Sequence, residues 1–158
     1  MPENLRDAGR RTIKAFQGQA RFFHCDYFVL DVDKDGLGKK GDIIGLEVNF
    51  RPCGGYVPNM MCYATGTNVF QVWADMVCYD ESKQEEGMDS YICICASQRK
   101  GISYVHGKED IFAKYGKVLV QYEELSYKIA KAMGDYAYIA KFEDKEEALA
   151  FVEYVIQR

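Results

Sequence analysis

A chain of 158 residues is long enough for one compact domain of ordinary size, or for two small lobes sharing a core. Its hydrophobic share of 48% and aromatic share of 14% exclude an intrinsically disordered chain, and a net charge of −4 without clustered Lys and Arg excludes a general nucleic-acid surface. No run reaches the roughly 20 apolar residues of a membrane span, and "MPENLRDAGRR" lacks the apolar core of a signal peptide, so the expected location is the cytoplasm.

Residues 3–17 place Leu5, Ala8, Gly9, Ile13 and Phe16 at helical spacing, which predicts a surface-packed helix ended by Gly18. "RFFHCDYFVLDV" is rich in aromatic and β-branched residues and reads as a strand. After the glycine-bearing stretch "DKDGLGKKGD", the segment "IIGLEVNF" reads as a second strand, giving a hairpin with a long tip. Pro52 stops it, and "RPCGGYVPNMM" reads as a loop. From Asn68 to Tyr79, Val69, Val72, Trp73, Met76 and Val77 form one helical stripe. The polar segment "DESKQEEGMD" marks a boundary, dividing the chain into 1–80 and a small α+β extension, 81–158.

Beyond the boundary, "SYICICA" and "ISYVH" read as short strands joined through "SQRKG", "KEDIFAKY" as a helix, and "KVLVQYEE" and "YAYIAKF" as strands. Asp144 and Glu147 form a D-x-x-E capping box ahead of a terminal helix with Leu149, Val152, Val155 and Ile156 inward. The expected fold class is α+β, a mostly antiparallel sheet with flanking helices. The six cysteines, Cys25, Cys53, Cys62, Cys78, Cys93 and Cys95, match neither a zinc ribbon nor a disulfide framework and read as reduced thiols.

"DVDKDG", residues 31–36, has the opening pattern of an EF-hand calcium loop. That loop needs flanking helices, an apolar eighth residue and a bidentate Glu at the twelfth; here the flanks read as strands and the two positions hold Gly38 and Asp42. The stretch is therefore read as a solvated hairpin tip, where Asp and Gly tolerate tight turns. The hairpin carries more. Alternation puts His24, Asp26 and Phe28 on one face of the first strand, and groups Glu47, Asn49 and Arg51 on the second. A turn centred near Gly36 and Leu37 brings Asp26 opposite Glu47. Two carboxylates and a carboxamide oxygen are what Mg²⁺ takes when it also holds phosphate oxygens, and a guanidinium beyond them suits a phosphate. Alternation equally allows Glu47 and Asn49 to face solvent on a half-exposed strand. His24 beside Cys25 is not a nucleophilic pair, because adjacent strand residues point to opposite faces. The basic cluster Arg99, Lys100, His106 and Lys108 reads as a solvated turn.

At "GLEVNFRPCGGYVPNMM" the chain resembles the ATP-grasp superfamily, in its carboxylase and carbamoyl-phosphate-synthetase-like branch, where a strand with Glu-x-Asn-x-Arg-Pro enters a glycine-bearing loop. "RFFHCDYFVL" looks like the strand that supplies the other metal-binding acid, and "GDYAYIAKFEDKEEALAFV" is similar to the closing segment. The resemblance implies Asp26, Glu47 and Asn49 as Mg²⁺ ligands, Glu47 bridging two ions, and Arg51 as the cation beside the transferred phosphate. Asp26 stands where Glu is more usual, with a reach shorter by one methylene. No glycine-rich phosphate lid and no nucleotide-clamping lysines occur, so the chain is expected to be the C-terminal portion of an ATP-grasp ligase. The parent would use Mg-ATP to activate a carboxylate or bicarbonate as an acyl phosphate; this portion alone would be inactive. The expected partners are the nucleotide-clamping lobes, in cis or in trans, or a second copy meeting Phe22, Phe28, Met60 or Met61. The alternative is a non-catalytic α+β binding or assembly module.

Overall fold

The structure, a computed structural model, describes residues 1–17, 21–85 and 87–158, so the helix end expected at Gly18 lies outside the described residues. The fold is α+β, and the described residues hold six helices and two small antiparallel sheets in two compact units. The first unit comprises residues 1–53 and 70–83, and the second residues 54–69 and 84–158.

The first unit contains α1 (Glu3–Ala15), β1 (His24–Val29) and β2 (Ile43–Asn49), with α3 (Val69–Tyr79) apart from its first residue. α1 buries Ala8 and half-buries Leu5, Gly9 and Ile13, as its apolar spacing predicts, whereas Phe16 lies beyond the helix and is exposed. Phe16 and Phe23 each set an edge against the Phe50 ring, with centroids 6.2 and 5.1 Å apart. The Tyr27 hydroxyl donates to Thr12 Oγ1 at 2.8 Å, which ties β1 to α1. In α3, Val72 and Met76 are half-buried, but Trp73 and Val77 of the expected stripe are exposed.

The second unit contains α2 (Val57–Thr65), β3 (Ile92–Gln98), α4 (Lys108–Tyr115), β4 (Leu119–Glu124), α5 (Tyr127–Met133), β5 (Tyr136–Phe142) and α6 (Lys145–Ile156). Its sheet order is β3-β5-β4, antiparallel throughout, with β5 central. Tyr138, Ala140 and Phe142 on one face of β5 pack with Ala96, Ile111, Ala148, Phe151 and Val155. Ala137 and Ile139 on the other face are buried too, so β5 is covered on both sides and reads as a near-continuous apolar run.

Three elements differ from expectation. The "VPNMM" part of the expected loop is the start of α2, because Pro58 sits in the first helical turn, where its missing N–H costs nothing. Gly66 closes that helix at φ 72°, a left-handed cap that donates its N–H to the Cys62 carbonyl. "ISYVH" is not a strand. Point contacts hold it: the Val105 N–H donates to the Gln157 carbonyl, and the buried Gln98 Nε2 donates to the carbonyls of His106 and Val155 at 2.9 and 2.8 Å. α5 is an added short helix between β4 and β5. In α6 the inward residues are Ala148, Phe151 and Val155, while Leu149 and Ile156 are exposed.

α6 starts where Asp144 Oδ1 accepts the N–H groups of Glu146 and Glu147 at 2.8 and 2.9 Å. Asp144→Ala should therefore cost about 1 kcal/mol of stability in urea unfolding, and Asp144→Asn much less.

Burial pushes the Cys93 thiol from its ordinary 9.0 up to about 11, and the Tyr138 hydroxyl from 10.0 up to about 12. The folded state keeps protons that the unfolded chain releases. The associated stability is fully present below about pH 9 and is lost as the pH rises from there towards 11. Urea midpoints of the second unit should accordingly fall on the alkaline side of pH 9, and a thiol reagent at neutral pH should label the exposed Cys78 well before Cys93.

Candidate metal centre

The site lies on the hairpin of the first unit, where pairing runs His24 with Asn49, Cys25 with Val48 and Asp26 with Glu47. Residues directly opposite on an antiparallel pair share a face, so His24, Asp26, Glu47 and Asn49 are on one side of the ribbon. Toward the tip the pairs are Tyr27 with Gly45, Phe28 with Ile44 and Val29 with Ile43, and the register shift between Asp26 and Tyr27 makes Leu46 the extra residue of a β-bulge. The tip turns at Gly36, whose φ of 73° favours a residue without Cβ, inside the Lys34–Gly38 bridge.

His24 Nε2 lies 3.0 Å from Asp26 Oδ1, and one donor atom from each of His24, Asp26 and Glu47 falls within 4.8 Å of the others. Two donors at right angles on a metal with bonds of about 2.1 Å are about 3.0 Å apart, so the His24–Asp26 spacing is that of neighbouring ligands on one ion. The His24 side chain is 23% exposed and that of Asp26 45%, and Glu47 is exposed, leaving an approach from solvent. Asp26 and Glu47 are like charges facing each other, which a cation between them relieves. Asn49 is half-buried opposite His24; its Nδ2 and the His24 Nδ1 are buried and have no hydrogen-bond partner among the described residues. Arg51 lies past the end of β2, exposed, with Nη1 donating to the Pro52 carbonyl at 2.9 Å.

The acids of "DVDKDG" do not join this group. Asp33 Oδ1 accepts the Lys40 N–H at 2.8 Å inside the tip, and Asp42 Oδ2 caps Lys39 in the same way at 2.8 Å. The alternation in the sequence puts Asp26 opposite Glu47, as the structure does, whereas His24 emerges as a metal donor only in the structure. Its signal was the two-residue spacing from Asp26, which puts both on one strand face. Comparison with protein families, with curated proteins and with solved structures finds no match for this chain.

Proposed function

We propose that this chain supplies the metal- and phosphate-holding part of an ATP-grasp-type ligase, whose complete form activates a carboxylate or bicarbonate as an acyl phosphate. The supporting observation is the pairing of Asp26 with Glu47 on a strand face that stays open to solvent. Converging carboxylates, half exposed, fit a divalent cation that keeps positions free for phosphate oxygens. Asp26 and Glu47 would hold it, with Asn49 beside them. Mg²⁺, when bound, supplies charge neutralisation at the phosphates. Arg51, on the mobile length of its side chain, would leave the Pro52 carbonyl for the transferred phosphate. The lobes that orient the nucleotide and exclude water would come from the same or another chain, and the exposed Phe28 and Met61 are apolar surface that such a lobe, or a second copy, would cover.

Calorimetric titration with Mg²⁺ and ATP tests this reading. Wild type should give weak Mg²⁺-dependent nucleotide binding that Glu47→Ala abolishes; absence of heat in both would leave a non-catalytic binding or assembly module. The engagement of Arg51 with a backbone carbonyl is the observation that favours that second reading.

A further inference from the structure

The cluster contains a donor that an all-oxygen magnesium site does not call for. Mg²⁺ selects oxygen ligands and parts with its waters reluctantly, whereas imidazole nitrogen suits transition ions, with affinity rising from Mn²⁺ through Fe²⁺ and Co²⁺. We propose that His24 is a direct ligand alongside Asp26 and Glu47, making a mixed nitrogen–oxygen centre that takes Mn²⁺ and the ions above it in preference to Mg²⁺. The inference rests on the metal-holding reading of the hairpin given above.

Three observations carry it. His24 Nε2 and Asp26 Oδ1 are at neighbouring-ligand spacing, 3.0 Å. Glu47 brings a carboxylate oxygen from the opposite strand to within 4.8 Å of a donor atom of each of these two residues. A hydrogen bond between His24 and Asp26 has no need of that third group, and an exposed Glu47 would otherwise swing away from the like charge of Asp26. The face is also partly open, so water or phosphate oxygens can complete the coordination. Binding through Nε2 places the ring proton on Nδ1, which is buried without a partner among the described residues. An oriented imidazole normally donates that proton to an acceptor, so this centre should bind with moderate rather than high affinity. The order of metals is unaffected.

The test combines calorimetry with pulsed electron paramagnetic resonance of bound Mn²⁺, using the whole chain and its His24→Gln and Glu47→Gln variants. Wild type should bind Mn²⁺ at least about tenfold more tightly than Mg²⁺ and show nitrogen coupling to the metal. In His24→Gln the coupling should vanish and the two affinities converge, with Mg²⁺ binding little changed. Mn²⁺ bound to wild type without nitrogen coupling, or coupling that survives in His24→Gln, overturns the inference while leaving the hairpin site in place. If neither ion binds wild type, the hairpin reading itself fails. The wild-type spectrum decides the matter even if a variant does not fold.

Discussion

Glu47→Gln should weaken divalent-cation binding about a hundredfold or more while leaving the hairpin at least as stable as before. Loss of a group that merely orients a ligand costs 10- to 100-fold, so loss of the charge on a ligand itself should reach the upper end of that range or pass it. The stability half of the expectation follows from the geometry. Asp26 and Glu47 face each other across the strands with carboxylate oxygens within 4.8 Å, and removing one of two like charges at such a separation relieves on the order of 1 kcal/mol even in bulk water. A stabilised variant that no longer binds metal separates a functional acid pair from a structural one. Retained affinity in Glu47→Gln, or a destabilised fold, would show that the carboxylate serves packing. Isothermal titration with Mn²⁺, beside thermal unfolding followed by Trp73 fluorescence, reads both; Trp73 is the chain's single tryptophan and belongs to the first unit.

Phe151→Ala should destabilise the second unit by about 3–5 kcal/mol. The side chain is fully buried, with the Tyr115 ring edge-on at 5.1 Å and the Phe142 ring tilted at 5.6 Å, so its removal leaves a cavity between α6 and the sheet in addition to the lost transfer energy. Against a total stability of about 5–15 kcal/mol, a loss of that size leaves a marginal unit. Phe151→Leu, which keeps much of the volume, should cost about 1.5 kcal/mol or less. Denaturant unfolding followed by tyrosine circular dichroism measures both, and an alanine variant within about 1 kcal/mol of wild type would mean that the core around α6 is loosely packed.

The hairpin was legible in the sequence because aromatic and β-branched runs flank a glycine-bearing tip, and because alternation fixes which side chains share a face. The terminal helix was legible for a local reason, its Asp144 cap, but its inward face was displaced by one position: Ala148 and Phe151 point in where Leu149 was expected. Apolar character alone cannot tell a buried Ala from an exposed Leu on an amphipathic helix whose stripe is broad. α2 was hidden by residues that act as breakers in most positions and as starters in the first turn, Pro58 above all. "ISYVH" has the composition of a strand but makes no ladder, which no local propensity reveals. His24 is hidden as a donor because its sequence neighbour Cys25 points to the opposite face, whereas its spatial neighbours are Asp26, two residues along, and Glu47 on the other strand.

Leu46 gives the hairpin a phase correction. Carried on without interruption, the pairs Val29–Ile43 and Phe28–Ile44 near the turn would lead to Asp26 opposite Leu46 and Cys25 opposite Glu47, with the second acid on the far side of the ribbon. Holding Leu46 out of the ladder as a bulge restores the match, so the acid pair depends on how that one residue is accommodated as much as on side-chain identity. Excising Leu46 would leave a regular ladder with Asp26 still opposite Glu47, whereas one further residue inserted before Glu47 would keep every proposed donor in the polypeptide and still scatter them, a loss of chemistry through miscounting rather than through any change of ligand.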